Sequence, residues 1–465
     1  MNEYNILNFG AIGNGINDDS ESIQKTIKTC SENGGGRVLI PGGFTFLSGP
    51  FDLASNIEFH VQTGAILQAI ADESVYHKSA FKENKGEGSI WIGGEDLNNV
   101  VITGGGIIDG NGMAFMGRES HGAYELKPFD IIDPRPHILT LVGGHNIKVH
   151  NITFKDAAYW GLHFVGCKDV LISNISIYNN LKIRNGDGID LDHCQNVNIS
   201  NCHIESGDDC ICFKNRREYS EYGPCTDITV NGCTLVSTSC AIKFGSENVD
   251  AIENVIISNC IIKNSNRGIG IQNRDEGTIS NILISNIIMN CRLFSDVWWG
   301  KAEPVYITAF PRATTNDKDS GIRLPNGASK GFVGEVKDIT ITNIKCSSEN
   351  GIFVGAEEQN KIRNIKFNNI DLKINKTTAY RGGIYDCRPC EGPPLVEEGT
   401  SGFYLMNVKD VSIHNSEVKW GKTRPSYFKE GITKVNCKSI LVSNSIFPNE
   451  EHLTNLTIPK IKKIK

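Results

Sequence analysis

The chain has 465 residues, 22% of them charged, and a formal net charge of -6 at pH 7. This balance offers no basic surface for nucleic acid and no block of like charges typical of a disordered tail. No run of 18 or more apolar residues occurs, so we also expect no membrane partner. The expected partner is a small or polar ligand, and the oligomeric state does not follow from the sequence.

The composition indicates strands joined by many turns. Gly is plentiful at 48 residues, while long helical runs are scarce. The 15 cysteines are an odd number, and Cys202, Cys233 and Cys260 lie inside strand-like segments, as buried apolar side chains of a reducing compartment do. Cys387 and Cys390 form one CxxC pair, which we interpret as structural. We expect no cofactor and no metal.

The first residues bear on the location of the protein. They show no basic segment followed by an apolar stretch, which favours a cytoplasmic location. A trimmed signal peptide would give the same sequence, and the protein would then be secreted.

A short phrase recurs along the chain, in which alternating apolar residues precede Asn or another small residue. The small residue falls at positions 151, 174, 201, 232, 259 and 286, at spacings of 23 to 31 residues. Such a period fits one coil of a solenoid and is too short for a propeller blade. The alternation predicts strands, so successive coils should stack about 4.8 Å apart with the Asn side chains in a ladder. The Leu-x-x-Leu-x-Leu phrase of leucine-rich repeats is absent.

These features predict an all-β, single-stranded parallel β-helix that forms one domain over residues 1–465. Residues 1–50 are expected to form an N-terminal cap and first coil, with a short helix from Ile23 to Cys30. The repeat spacing breaks between 286 and 343 and again between 369 and 415. We interpret 290–335 and 375–405 as loop insertions that line the site.

Two segments carry closely spaced carboxylates. Asp187 and Asp208 are separated by 21 residues, about one coil, and Asp209 follows directly. Like charges at this spacing raise one another's pKa, which suits general acid and base catalysis. Inverting glycosidases hold two carboxyl groups roughly 6.5–9.5 Å apart, a gap that side chains on adjacent coils can span. Calcium ligands or turn-capping aspartates are the alternative.

The motifs around these aspartates resemble glycoside hydrolase family 28, the polygalacturonase family. Segment 185–188 reads Asn-Gly-Asp-Gly, and segment 207–210 reads Gly-Asp-Asp-Cys. Segments 104–110, 135–137, 160–163 and 244–246 add to the resemblance. It implies a right-handed, pectin-lyase-like solenoid that degrades pectin, with Asp208 as general acid. Asp187 and Asp209 would jointly position and deprotonate water, with inversion.

The chain departs from the family pattern in the coils that follow. Ser239 stands where polygalacturonases carry a histidine, and Gly270 and Gln272 stand where two cations grip the galacturonate carboxylate. Loss of such charge-assisted pairs should weaken galacturonate binding, so an ordinary endo-polygalacturonase is not expected. Rhamnogalacturonan-acting members also lack the histidine, although they carry Asp-Glu in place of Asp208 and Asp209.

Other polar and aromatic side chains are candidates for substrate binding. Each has a plain structural alternative, such as a solvated charge, a turn cap or loop packing. Arg312 is a further possible replacement cation. The candidates are Asn185, His163, Lys214, Ser239, Lys243, Glu247, Arg267, Gln272, Arg274, Trp298 and Trp299.

The sequence therefore predicts an inverting glycosidase for a pectic or related oligosaccharide, of rhamnogalacturonan or galacturonide type. Large insertions that close one end of a groove favour exo action. Two alternatives stay open. One is a β-helix polysaccharide lyase or epimerase, and the other is a carbohydrate-binding β-helix without catalysis.

Overall fold

The computed structural model describes residues 1–82, 88–119, 129–131, 134–296, 300–312, 332–385, 395–397 and 399–448. Over these residues, strands of successive coils pair in parallel and form a right-handed parallel β-helix, as predicted. Trp298, Trp299, Cys387 and Cys390 lie outside the described residues.

Two long parallel sheets make up most of the described solenoid. The first, called sheet 1, carries the candidate site on its outer face. Its strands are Phe51–Asp52, Ser89–Glu95, Pro136–Val142, Leu162–Val165, Ile189–Asp192, Ile211–Asn215, Cys240–Asn248, Arg267–Asn273, Val305–Ala309, Ile352–Ala356, Phe403–Met406 and Ile432–Val435.

The second sheet, called sheet 2, holds the recurring phrases of the sequence. A separate antiparallel pair joins Met116–Glu119 to Phe129–Ile131. The strands of sheet 2 are Glu3–Asn5, Asn14–Asp18, Gly36–Ile40, Thr45–Ser48, Ile57–Val61, Ile66–Ala69, Asn98–Thr103, Ile107–Asp109, His145–His150, Thr153–Lys155, Lys168–Ser173, Ser176–Tyr178, Gln195–Ser200, His203–Ser206, Cys225–Asn231, Thr234–Ser237, Ala251–Ser258, Ile261–Ser265, Thr278–Cys291, Val336–Ser348, Ile362–Ile374, Val408–His414, Glu417–Trp420 and Lys438–Ser443.

The predicted stacking of equivalent apolar residues is confirmed by the register. Val149, Ile172, Ile199, Val230 and Ile257 pair in turn on neighbouring coils, and all are buried. Each coil thus covers the apolar face that the next coil would otherwise expose, which is the stabilising contact of a solenoid.

An asparagine ladder runs along a turn of the solenoid. The side-chain amide of Asn286 donates to Oδ1 of Asn259 at 3.1 Å, Asn343 donates to Asn286 at 3.0 Å, and Asn369 donates to Asn343 at 2.9 Å. These residues have φ near +55°, in the left-handed region that Asn adopts more readily than other side chains. The recurring Asn therefore both makes the turn and joins the coils.

The predicted N-terminal helix is present and longer than expected, from Ser20 to Glu32. Its buried face carries Ile23, Ile27 and Cys30, which belong to the core of the solenoid. Short 3-10 helices occupy Ile6–Phe9, Glu73–Val75, Gly112–Phe115 and Arg217–Tyr222.

The predicted insertions include strands of sheet 1. Val305–Ala309 pairs with Arg267–Asn273 and with Ile352–Ala356, so it belongs to a regular coil inside 290–335. Phe403–Met406 likewise overlaps the end of 375–405. Neither strand contains the Asn phrase, which belongs to sheet 2, so the sequence repeat did not reveal them.

The 13 described cysteines carry free thiols, and all but Cys437 are buried. In the described part of the chain, no helix has the length and apolar character needed to cross a membrane.

Candidate active site

The outer face of sheet 1 is polar at its centre. Alternate side chains of each strand point into the core, where Phe213 packs against Phe244. The intervening residues form an outward column whose successive members are His163, Asp190, Cys212, Lys243, Gly270 and Tyr306. The candidate aspartates lie just before these strands, at one edge of this column.

Asp187, Asp208 and Asp209 meet at one point, as the spacing of one coil predicted. One carboxylate oxygen from each lies within 4.8 Å of the other two, and all three residues are at most 4% exposed. The backbone sets this proximity because the amide of Gly188 donates to the carbonyl of Asp209 at 2.9 Å. Neighbouring coils therefore deliver the three carboxylates side by side.

Buried side chains hold the two aspartate segments in place. The amide of Asn179 donates to the carbonyls of Gly186 and Asp187 at 3.0 and 3.1 Å, and the hydroxyl of Ser206 donates to the Gly186 carbonyl at 2.6 Å. The amide of Asp208 in turn donates to the Ser206 hydroxyl at 3.1 Å. These bonds fix the backbone on which the carboxylates are mounted.

Asp209 has a partner on each oxygen. The ammonium of Lys243 lies 3.1 Å from Oδ2, and the hydroxyl of Ser239 donates to Oδ1 at 3.3 Å. These two contacts fix the position of the Asp209 side chain. Ser239, which stands where the family carries a histidine, is thus part of the carboxylate cluster.

Lys214 lies on the opposite side of the cluster. Its ammonium is 3.1 Å from Asp190 Oδ1, 4.0 Å from Asp187 Oδ2 and 3.9 Å from the ring centre of Trp160. Burial lowers its pKa, but the charges of Asp190, Asp187 and Glu247 act together against burial, and the Lys214 pKa lies above its ordinary value. Lys214 therefore stays cationic next to Asp187.

Burial and mutual repulsion perturb the aspartates strongly. Burial raises the pKa of Asp208 well above its ordinary value, and the charge of Asp209 adds to the rise. The pKa of Asp187 is raised in the same way, by burial first and by Asp208 second. Asp190 has a pKa raised to about 7, again mainly by burial. Asp187 and Asp208 thus hold a proton to higher pH than an ordinary carboxyl group does, which suits a general acid.

The spacing of the carboxylates differs from the sequence expectation. Their nearest oxygens are within 4.8 Å, closer than the roughly 6.5–9.5 Å typical of a pair of inverting carboxyl groups. Three carboxylates share this site, so the rule for a pair does not transfer directly. Three oxygens so close could also ligate a cation, and the Lys243 ammonium already contacts one of the three carboxylates.

An aromatic cluster borders the site on its N-terminal side. This N-terminal wall consists of Phe81, His137, Tyr159, Trp160 and His163, whose rings pack edge-on, tilted or stacked at centroid distances of 4.9 to 6.3 Å. His163 is fully buried here, and burial lowers its pKa. Its ring contacts that of Trp160 edge-on, and its role in substrate contact stays a prediction.

A second cluster borders the site on its C-terminal side. This C-terminal wall consists of Arg267, Glu303, Tyr306, Phe353 and Tyr385. Arg267 forms a two-pronged ion pair with Glu303 at 3.0 and 3.2 Å, and its guanidinium lies 3.8 Å from the Tyr306 ring centre. Phe353 stacks on Tyr306 on one side and on Tyr385 on the other, and all three rings are fully buried.

Gly270, at a position where the resemblance predicts a cation, has little room for a side chain. A Cβ atom there would lie 2.9 Å from Sγ of Cys240, 3.0 Å from the side-chain nitrogen of Gln272 and 3.1 Å from Cδ of Arg267. A side chain at 270 would therefore require these three neighbours to move. Arg267 itself is buried and engaged with Glu303.

Glu247 lies at the far edge of the same face. One of its oxygens is 3.6 Å from Arg312, whose guanidinium also contacts Asp275 at 2.9 Å and the Ser246 hydroxyl at 3.0 Å. Burial would raise the Glu247 pKa, but Arg312, Lys214 and Arg216 outweigh it and hold that pKa far below its ordinary value. Glu247 therefore stays ionised to lower pH than an ordinary glutamate does.

Three further predicted residues, Asn185, Gln272 and Arg274, are buried or bonded to other residues of the protein. Oδ1 of Asn185 accepts a bond from Arg135 at 3.2 Å, and Gln272 is 1% exposed. Arg274 is also buried, with Nη1 donating to the Asn273 carbonyl and to the Thr308 hydroxyl. Trp298 and Trp299 lie outside the described residues, so their role stays a prediction.

Several residues of the site were not among the predicted site residues. Asp190 and Trp160 contact Lys214, Asn179 holds Asp187, and Glu303 pairs with Arg267. Asp190 could have been found by strand alternation, because it shares the outward face with Asp192 and His163. Nothing in the sequence pattern links Glu303 to Arg267 across 36 residues.

Solved structures with the same fold include two exopolygalacturonases. The family 28 exopolygalacturonase of Yersinia enterocolitica is 20% identical, with a TM-score of 0.69 over 94% of this chain and 78% of its own. The exopolygalacturonase of Thermotoga maritima is 22% identical, with a TM-score of 0.63 over 81% of this chain and 87% of its own. At these identities the likeness establishes the fold.

Sequence relatives extend the comparison. A probable polygalacturonase of Vitis vinifera is 29% identical over 268 residues, which cover 54% of this chain and 52% of the relative. An exopolygalacturonase of Cochliobolus carbonum is 31% identical over 258 residues, covering 54% and 53%. The chain thus spans about half the length of the curated relatives it matches. The pattern of Glycosyl hydrolases family 28 matches residues 30–294, more than half of the chain, and the chain therefore belongs to that family.

Proposed function

We propose that this protein is a glycosidase that hydrolyses a pectic or related oligosaccharide through Asp187, Asp208 and Asp209. The observation that carries the proposal is the meeting of three buried carboxylates within 4.8 Å on the outer face of a solenoid. Membership of family 28 and relatives named as polygalacturonases support a pectic substrate.

Asp208 acts as the general acid. Its raised pKa keeps a proton on the carboxyl, which passes to the glycosidic oxygen as the bond to the anomeric carbon breaks. Asp187 and Asp209 orient a water molecule on the opposite side of the sugar and take its proton. Oδ1 of Asp187 has no hydrogen-bond partner among the described residues, so it is available to accept from that water.

Direct attack by water inverts the anomeric configuration. The two contacts of Asp209 support its role as base, because Lys243 and Ser239 hold its carboxylate in place beside Asp187. After one turnover the proton gained by the base must return to Asp208 through solvent before the next.

The two walls favour action at a chain end. Along the outward column, four positions from Asp190 to Gly270 separate His163 of the N-terminal wall from Tyr306 of the C-terminal wall. Both of these residues are fully buried. A site bounded on both sides admits the end of a short chain more readily than the middle of a long polymer. The relatives named exopolygalacturonases agree with this.

The test is turnover of pectic oligosaccharides and aryl glycosides by the wild type and by Asp208→Asn. We expect kcat/KM to fall by about 10²–10⁴-fold in the variant, the usual contribution of a general acid. The loss should be smallest for aryl glycosides with acidic leaving groups, which need little protonation. Near-wild-type hydrolysis by the variant would refute the acid assignment. Unsaturated products would favour a lyase, and binding without turnover would favour a non-catalytic β-helix.

A further inference from the structure

We infer that the sugar ring bound between the two walls is uncharged, and that Glu247 selects it by accepting bonds from its hydroxyl groups. This inference rests on the proposed glycosidase function. It concerns the ring next to the carboxylate cluster, whatever the charge of the rest of the chain.

Five of the cations around the cluster already contact a carboxylate of the protein. In all five pairs the nitrogen lies 3.1 Å or less from a carboxylate oxygen. They are Lys214 with Asp190 at 3.1 Å, Lys243 with Asp209 at 3.1 Å, Arg267 with Glu303 at 3.0 Å, Arg312 with Asp275 at 2.9 Å, and Arg216 with Glu218 at 2.7 Å.

A uronate would have to compete for these cations. Its carboxylate would enter a buried site that already holds Asp187, Asp208, Asp209 and Glu247, and like charges in a poorly hydrated site repel strongly. Each pair it disrupted would leave a buried protein carboxylate without its partner. An uncharged ring meets neither cost.

Glu247 is suited to bind hydroxyl groups. Its side chain is 23% exposed, so it is less enclosed than the paired acids around it, and its contact with Arg312 at 3.6 Å is an ion pair without a hydrogen bond. An ionised carboxylate offers about four acceptor positions, which match two neighbouring hydroxyls of a pyranose ring. The same negative charge opposes a uronate at this edge.

The first experiment compares substrates that differ only at C6. We expect the wild type to hydrolyse 4-nitrophenyl glycosides of neutral pyranoses, a hexose and a 6-deoxyhexose, with kcat/KM at least about tenfold above that for the matching uronide. Preference for the uronide would overturn the inference while leaving the glycosidase proposal intact.

If no aryl glycoside is hydrolysed, that outcome counts against the proposed function. A binding measurement then tests separately whether the bound ring is uncharged. Calorimetric titration of Asp208→Asn compares galactose, rhamnose and galacturonate at pH 7. The inference expects a neutral sugar to bind more tightly than galacturonate. Tighter binding of galacturonate, or binding of none of the three, would overturn it.

The variant Glu247→Gln tests the selecting residue. It removes the charge but keeps an acceptor, so we expect the ratio of kcat/KM for neutral over uronide substrates to fall by about tenfold. The matched control Glu73→Gln alters an exposed glutamate in the 3-10 helix Glu73–Val75 and should leave the ratio unchanged. An unchanged ratio in folded Glu247→Gln would refute the assignment of Glu247.

Discussion

Asp208 and Asp209 are adjacent in the chain yet have different surroundings. Asp209 contacts an ammonium and a hydroxyl, whereas the pKa of Asp208 is raised by burial and by the neighbouring charge. Pairs of carboxyl groups whose environments separate their proton affinities are the usual basis of acid and base roles. We assign the acid role to Asp208 because its pKa stays raised even though Lys243, Lys214 and Ser239 oppose the rise.

The proposed acid role predicts a basic limb in the pH profile of kcat/KM. Because the pKa of Asp208 is raised, the protonated acid is present below that pKa, and activity falls as pH rises through it. Lys243 opposes this rise, so Lys243→Gln should move the limb to higher pH. The exposed control Lys263→Gln should leave the limb in place, and a limb that moves to lower pH in Lys243→Gln would contradict the account.

Burial and mutual repulsion of the three carboxylates predict that removing one of them stabilises the fold. Folding raises the Asp187 pKa, so the folded protein binds more protons than the unfolded chain and loses stability as pH rises above about 4. Each unit of such a shift costs about 1.4 kcal/mol at high pH. Asp187→Asn should therefore have a higher melting temperature than the wild type at pH 7, with the gain vanishing near pH 3.

The exposed Asp52→Asn variant is the control for this stability effect and should change the melting temperature little. A lower melting temperature for Asp187→Asn at pH 7 would show that contacts of the carboxylate outweigh its burial cost.

At the scale of elements, the strands that carry the recurring Asn phrase were predicted from the sequence, and strands without that phrase were missed. The Asn phrases predicted the strands of sheet 2 and their stacking, because each coil makes the same turn with the same side chain. The Val305–Ala309 strand has no such phrase and was assigned to an insertion. The carboxylate cluster was predictable from motif spacing. The Arg267–Glu303 pair was not, because two distant segments meet only after the coils stack.

The Asn ladder predicts a local stability cost. Asn286→Ala removes bonds to Asn259 and Asn343 and places a Cβ-bearing residue without a polar side chain at φ +57°. We expect a loss of about 1–3 kcal/mol in the free energy of unfolding, measured by denaturant titration. Asn286→Gly should recover part of it, since glycine tolerates this conformation. A loss equal to that of exposed Asn290→Ala would contradict the ladder's role.

At the scale of the whole molecule, the solenoid provides a long polar face, and the two aromatic walls confine its chemistry to the coils between them. The fold brings residues from successive coils to one point. A single substitution on a neighbouring coil therefore alters the site without altering the solenoid. Ser239, Gly270 and Gln272 are such departures from the family pattern, and the proposed preference for an uncharged ring rests on the paired cations around the cluster.

The anomeric configuration of the first product tests the central claim most directly. Proton NMR during hydrolysis of the best substrate separates the α and β forms before they equilibrate. Direct attack by water activated by Asp187 and Asp209 predicts the inverted anomer. The retained anomer would contradict the account, because it would require one of these closely spaced aspartates to form a covalent intermediate.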